Sequence, residues 1–111
     1  MLENIEAITN SLEYRSKKET ANTSSKPGLY FKGATYRISP MVFTLSSRGF
    51  PQLTFQYKGE MHTVAVKRLV WILVNGQVPA GMMVQQQGNK SNYHIEQLRL
   101  IPYGTRTSSV P

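Results

Sequence analysis

The chain has 111 residues, enough for one modest core, and no cysteine, which excludes disulfides, thiolate metal sites and cysteine nucleophiles. Thirteen Lys and Arg against six Glu, with no Asp at all, give a net charge of +7. Hard-metal chemistry, which needs several carboxylate or imidazole ligands, has only His62, His94 and widely scattered Glu to draw on.

The charge is unevenly spread. Residues 1–19 sum to −1 and residues 20–111 to +8, with Glu60 and Glu96 as the only acids of the second part. Such a field attracts polyanions. No basic amphipathic helix suggests a membrane surface, and the longest apolar run, Leu69–Val74, falls far short of the ~20 residues of a membrane helix. Residues 1–10 carry two Glu and none of the marks of a secretory signal. A soluble, cytoplasmic protein whose partner is nucleic acid is expected.

Leu2, Ile5, Ile8 and Leu12 recur at helical spacing, so Leu2–Arg15 reads as an amphipathic helix whose stripe docks on its own domain, a second copy or a partner. Ser16–Pro27 reads as a polar linker. The expected organisation is therefore residues 1–27, helix and linker, followed by residues 28–111, a basic domain.

Leu29–Arg37 favours a strand with Gly33 at a turn, and Met41–Leu45 a second strand. Gln52–Tyr57 alternates, with Leu53, Phe55 and Tyr57 on one face; Lys58-Gly59 supplies a tight turn, and Glu60–Val64 returns as its partner. Lys67–Asn75, starting near Val64–Val66 and stopped by Gly76, is an expected helix with Trp71 in the core. After Val78-Pro79-Ala80-Gly81 come a strand, Met82–Gln86, a Gly88-Asn89 turn, a Ser-capped helix over Ser91–Gln97 and a strand over Leu98–Ile101. The Ser/Thr-rich tail beyond Tyr103 is expected to fray.

The stretch VKRLVWILVNGQVPAGMMVQQQGNKSNYHIEQLRLI, Val66 to Ile101, resembles the HNH (His-Me finger) endonucleases common in bacteriophages. Those carry a VHRLVW helix start, a G-x-x-P-x-G connection, V-x-H-x-x-G-N-x-x-N-N and I-x-N-L-R. Matching positions run from Val66, Arg68 and Trp71 through Gly76, Pro79 and Gly81 to Gly88, Asn89, Asn92, Ile95, Leu98 and Arg99. The resemblance implies an α+β fold: an HNH-like ββα core with a preceding antiparallel hairpin and sheet, plus the N-terminal helix.

The departures fall on the chemistry. Where the family has its general-base His stands Gln85, whose amide takes up no proton near neutral pH; Gln86 and Gln87 replace metal-holding neighbours. The family's ordering Asn is Gln97, its motif His is Lys67, and a late metal ligand falls near Arg106. The resemblance therefore implies no catalytic residue, no metal and no cofactor. It implies instead a phage-encoded, regulatory or enzyme-modulating protein that binds double-stranded DNA.

The expected contacts are Lys58, Lys67, Arg68, Lys90, Arg99 and Arg106 on phosphates, and Gln85, Gln86, Gln87 and Asn89 through neutral hydrogen bonds. His94 is expected on the surface of the short helix, and Tyr93 in packing. A protein-interaction module that inhibits a host protein, or self-associates through Leu2, Ile5, Ile8 and Leu12, is the alternative. A rearranged nuclease site built on His94 or His62 is a third, weaker reading.

Overall fold

A computed structural model describes residues 3–90 and 92–102, apart from the Pro40 side chain. Among them the fold is mixed α+β, with three separate antiparallel sheets and three α-helices. In chain order these are α1 (Glu3–Thr9), β1 (Leu12–Arg15), α2 (Lys17–Thr20), β2 (Gly28–Phe31), β3 (Thr44–Leu45), β4 (Pro51–Tyr57), β5 (Glu60–Ala65), α3 (Val66–Asn75), β6 (Met82–Gln86) and β7 (Leu98–Pro102). Short 3₁₀ turns occupy Pro40–Val42 and Ile95–Gln97.

The alternating segment forms as expected. β4 and β5 pair in register from Gln52↔Ala65 to Tyr57↔Glu60, with Lys58 in the left-handed region (φ 51°) and Gly59 beside it at the turn. Leu53 faces the core, and Phe55 and Tyr57 on the same face enclose the His62 ring at 5.8 and 6.0 Å between centroids. α3 follows immediately, burying Val66, Leu69, Val70 and Ile72, and it ends where Gly76 adopts φ 87° and its N–H reaches the Ile72 carbonyl at 2.9 Å. An L-side chain rarely takes that φ, so the helix stops there. Trp71 is half-buried against the core. β6 and β7 then pair from Met82↔Pro102 to Gln86↔Leu98.

The N-terminal third differs from the sequence expectation. The helix is short: it closes at Thr9, where Asn10 N–H and Ser11 N–H bond back to the Glu6 and Ile8 carbonyls. Leu12–Arg15 is instead a strand whose alternate residues, Leu12 and Tyr14, are buried. It pairs with β2 across the expected linker, Leu12↔Phe31 through Arg15↔Gly28. The linker itself contains α2, opened by a capping box in which the Ser16 hydroxyl accepts from Glu19 N–H and the Glu19 carboxylate accepts from Ser16 N–H.

Ile5, Ile8 and Leu12 lie in one cluster with Leu29, Leu53, Leu69, Val70 and Leu98. Of the three docking choices open to the stripe, the chain's own core takes these residues, and their apolar surface is not left for a second copy or a partner. Leu2, Ser91, Tyr103 and the tail lie outside the described residues. The expected Met41–Leu45 strand is reduced to Thr44–Leu45, because the Pro40 turn occupies its start. The Ser91–Gln97 helix is reduced to the single turn Ile95–Gln97. No helix among the described residues is long and apolar enough to cross a membrane.

Candidate nucleic-acid interface

Lys67, Lys90 and Phe50 meet at one end of the hairpin. Lys67, in the first turn of α3, leaves the base of β5, and Phe50 immediately precedes β4. The Lys67 ammonium lies over the Phe50 ring, 4.4 Å from its centroid, and the Lys90 ammonium approaches the same ring at 5.5 Å. Lys90 also donates to the Arg48 carbonyl at 2.6 Å, so the loop between β6 and β7 is tied to the Ser46–Phe50 turn. A ring face attracts cations and fixes their position without cancelling their charge. Arg48 is exposed on the same turn, and residues 20–59 and 61–95 contain no carboxylate at all.

α3 adds to this field. Its N-cap is Ala65, which offers no side-chain acceptor, and its first turn holds Lys67 and Arg68 and no acid. Cations there oppose the positive end of the helix dipole, the reverse of what steadies an isolated helix; an anion beside them relieves both. Arg68 is exposed and, with Ala65 and Lys67, lines a recess of about 290 Å³ whose other wall is the Val78–Val84 connection and strand.

The three glutamines separate by the pleat of β6. Gln85 stands opposite Arg99 and accepts from its Nε at 2.7 Å. Gln87, with its amide oxygen turned to the guanidinium, accepts from Arg99 Nε at 2.8 Å and Nη1 at 3.1 Å. Two neutral amides therefore hold this cation in place and leave its charge intact.

Gln86 points the other way. It is 7% exposed, and its Nε2 donates to the Lys90 and Asn89 carbonyls, so it clasps the loop that carries Lys90. This corrects its expected role as a direct contact. We expect Gln86→Ala to lose about 1–2 kcal/mol of stability, as two backbone carbonyls lose their donor. Gln87→Ala, at an exposed position, should stay within about 0.5 kcal/mol. Urea midpoints of the two variants measure the difference.

Lys58 does not join the cluster. It sits at the far tip of the hairpin, about 20 Å along β5 from Lys67 at ordinary strand rise, and pairs with Glu3 at 3.3 Å. Asn89 is exposed on the loop, near Lys90. Arg106 lies outside the described residues. Arg48 and Phe50, which complete the cluster, carry no local motif; the carboxylate-free stretch around them was the available signal.

His94 is also corrected. It precedes the 3₁₀ turn rather than lying within a helix, stacks on Tyr93 with centroids 5.3 Å apart, and has its Nδ1 at 3.4 Å from the Tyr14 hydroxyl. Burial, reinforced by the charge of Lys17, pushes its pKa below the usual imidazole value and favours the neutral ring. The Tyr14 hydroxyl accepts from Ile95 N–H at 3.1 Å, so this pair serves as a joint between β1 and the turn before β7. His62 lies elsewhere, its Nδ1 at 3.3 Å from Asn4 Nδ2. Among the described residues no three His or Glu side chains are grouped as a metal site requires.

In comparison with known proteins, no family model matches the chain, and no curated protein or solved structure is significantly similar to it.

Proposed function

We propose that the protein is a non-catalytic, double-stranded DNA-binding protein on an inactivated HNH-like scaffold, with a regulatory or enzyme-modulating role of the kind phages encode. The observation that carries the reading is the convergence of the Lys67 and Lys90 ammonium groups on Phe50, beside the α3 N-terminus, with exposed Arg48 on the turn that Lys90 bonds, in stretches of sequence bare of carboxylates. Phosphate contacts of this sort position a protein on a duplex.

The order helix α3, strand β6, Gly-Asn loop, short turn and strand β7 is compatible with the HNH resemblance. Under that resemblance, Gln85 stands at the position of the base and cannot activate water. Instead Gln85 and Gln87 steady the Arg99 guanidinium, a cation that needs no metal ligands. The alternative, docking on a host protein through the N-terminal helix, loses its basis because Ile5, Ile8 and Leu12 are core residues.

The test is a duplex-binding titration beside a metal-dependent cleavage assay. Engagement of about five phosphates gives a slope of log affinity against log salt near −4.5, or roughly 500-fold weaker binding between ~50 and ~200 mM salt. No nicking is expected with Mg²⁺, Mn²⁺, Zn²⁺ or Ni²⁺. Absence of binding at ~50 mM salt would end the DNA reading. Metal-dependent cutting lost in His94→Ala would end the non-catalytic one.

A further inference from the structure

The segment between Arg37 and Arg48 carries exposed apolar side chains. Met41 is 93%, Leu45 69% and Val42 58% exposed, all within five residues. Single exposed apolar side chains are ordinary; three on one short, braced segment are not. The bracing is visible on both sides. Ser39 holds the turn, accepting from Val42 N–H through its carbonyl at 2.9 Å and from Met41 N–H through its hydroxyl at 3.3 Å. Phe43 turns inward and packs edge-on against buried Tyr93, centroids 5.7 Å apart at 89°. Thr44 and Leu45 pair with Gln52 and Pro51. With Phe43 anchored and the backbone bonded, the neighbouring side chains cannot fold back into the core.

What flanks the segment decides what it meets. Four residues before Met41 stands Arg37, half-buried with its Nη1 donating to the Pro27 carbonyl at 3.3 Å, which with Lys26, Tyr36 and Ser39 lines an open recess of about 480 Å³. Three residues after Leu45 stands Arg48, on the turn tied to Lys90 and next to Phe50. No carboxylate occurs from residue 20 to residue 59. An apolar tip between two groups of cations suits a partner that offers phosphates on both sides of an apolar interior. A base step of duplex DNA has that chemistry, and Met and Leu are among the side chains that wedge into such steps.

We propose that Met41, Val42 and Leu45 form a wedge that enters between two base pairs from the minor groove, while Arg37 and Arg48 hold the phosphates on either side. The proposal rests on the DNA-binding reading above. Its consequence is a kinked duplex, by roughly 20–90° as for other inserted apolar wedges, and a preference for flexible steps, which unstack most readily.

The experiment uses the full chain and the double variant Met41→Ser/Leu45→Ser, which changes only exposed side chains. A short duplex carries end labels for energy transfer and a 2-aminopurine reporter, and affinity is measured across a salt series. The expected result is a kink and an unstacking signal with the unaltered protein. In the double variant both should be lost and affinity reduced, with the salt slope unchanged because no charge has been removed. Salt-dependent binding with no kink, or with the same kink in the variant, overturns the wedge and leaves the DNA reading standing. That is also the result expected of a patch kept for a protein partner. No binding by the unaltered protein overturns both.

Discussion

A chain beginning at Pro27 is expected not to fold. Removing the preceding residues takes α1, β1 and α2, and with them Ile5, Ile8, Leu12 and Tyr14 from the core. It also removes the only strand paired with β2 among the described residues, leaving Leu29 and Tyr30, now 0% and 1% exposed, without that cover. Burial of an aliphatic side chain contributes about 1.5–3 kcal/mol, so Ile5, Ile8 and Leu12 together contribute about 4.5–9 kcal/mol. That is comparable with the whole stability of a small domain, about 5–15 kcal/mol. The shortened chain should give no cooperative urea transition and a collapsed range of amide chemical shifts. A milder probe is Leu12→Ala in the full chain, which should cost about 2–5 kcal/mol because the site is closed on all sides. A cooperative transition in the shortened chain, with stability near that of the full chain, would show that the N-terminal elements are an appendage.

The same region explains where the sequence was readable and where it was not. Local periodicity with a clear stop was enough for the β4–β5 hairpin, α3 and β6: alternation at Leu53, Phe55 and Tyr57 fixed a face, Lys58-Gly59 fixed a turn, and Gly76 ended a helix. Leu2, Ile5, Ile8 and Leu12 looked like a single helical stripe, but spacings of three and four do not reveal a change from helix to strand inside them. Leu12 and Tyr14 also satisfy period two, and Asn10-Ser11 marks the break. The capping box Ser16–Glu19 was passed over, because the polar residues around it are typical of a linker. The candidate interface was half legible. Lys67, Lys90 and Arg99 stand out beside the glutamines, whereas Phe50 and Arg48 join them only through tertiary packing of distant turns. The inward turn of Gln86 follows from the strand pleat, which places it opposite in sense to Gln85 and Gln87.

The larger expected effect on binding is that of Lys67→Ala/Lys90→Ala. Both ammonium groups lie over one exposed-side aromatic ring, one on a helix and the other on a loop bonded to the Arg48 carbonyl. If each neutralises one phosphate, each releases about 0.9 of a condensed counterion on binding. The salt slope of the double variant should then be shallower by about two. Its affinity should fall about 60-fold at ~0.1 M salt and about 20-fold at ~0.2 M, since counterion release weakens as bulk salt rises. The loss should be nearly the same on any duplex sequence, because phosphates carry no base information. Lys58→Ala is the matched control: it removes the same charge from the same protein, but at the hairpin tip, where the ammonium is paired with Glu3. Its slope should match that of the unaltered chain. Stability must be followed in parallel, because two exposed cation–π contacts with Phe50 contribute about 1–2 kcal/mol together. An unchanged slope in the double variant, or an equal reduction in Lys58→Ala, would mean that the protein's overall charge draws it to DNA and that this cluster has no special part in the contact.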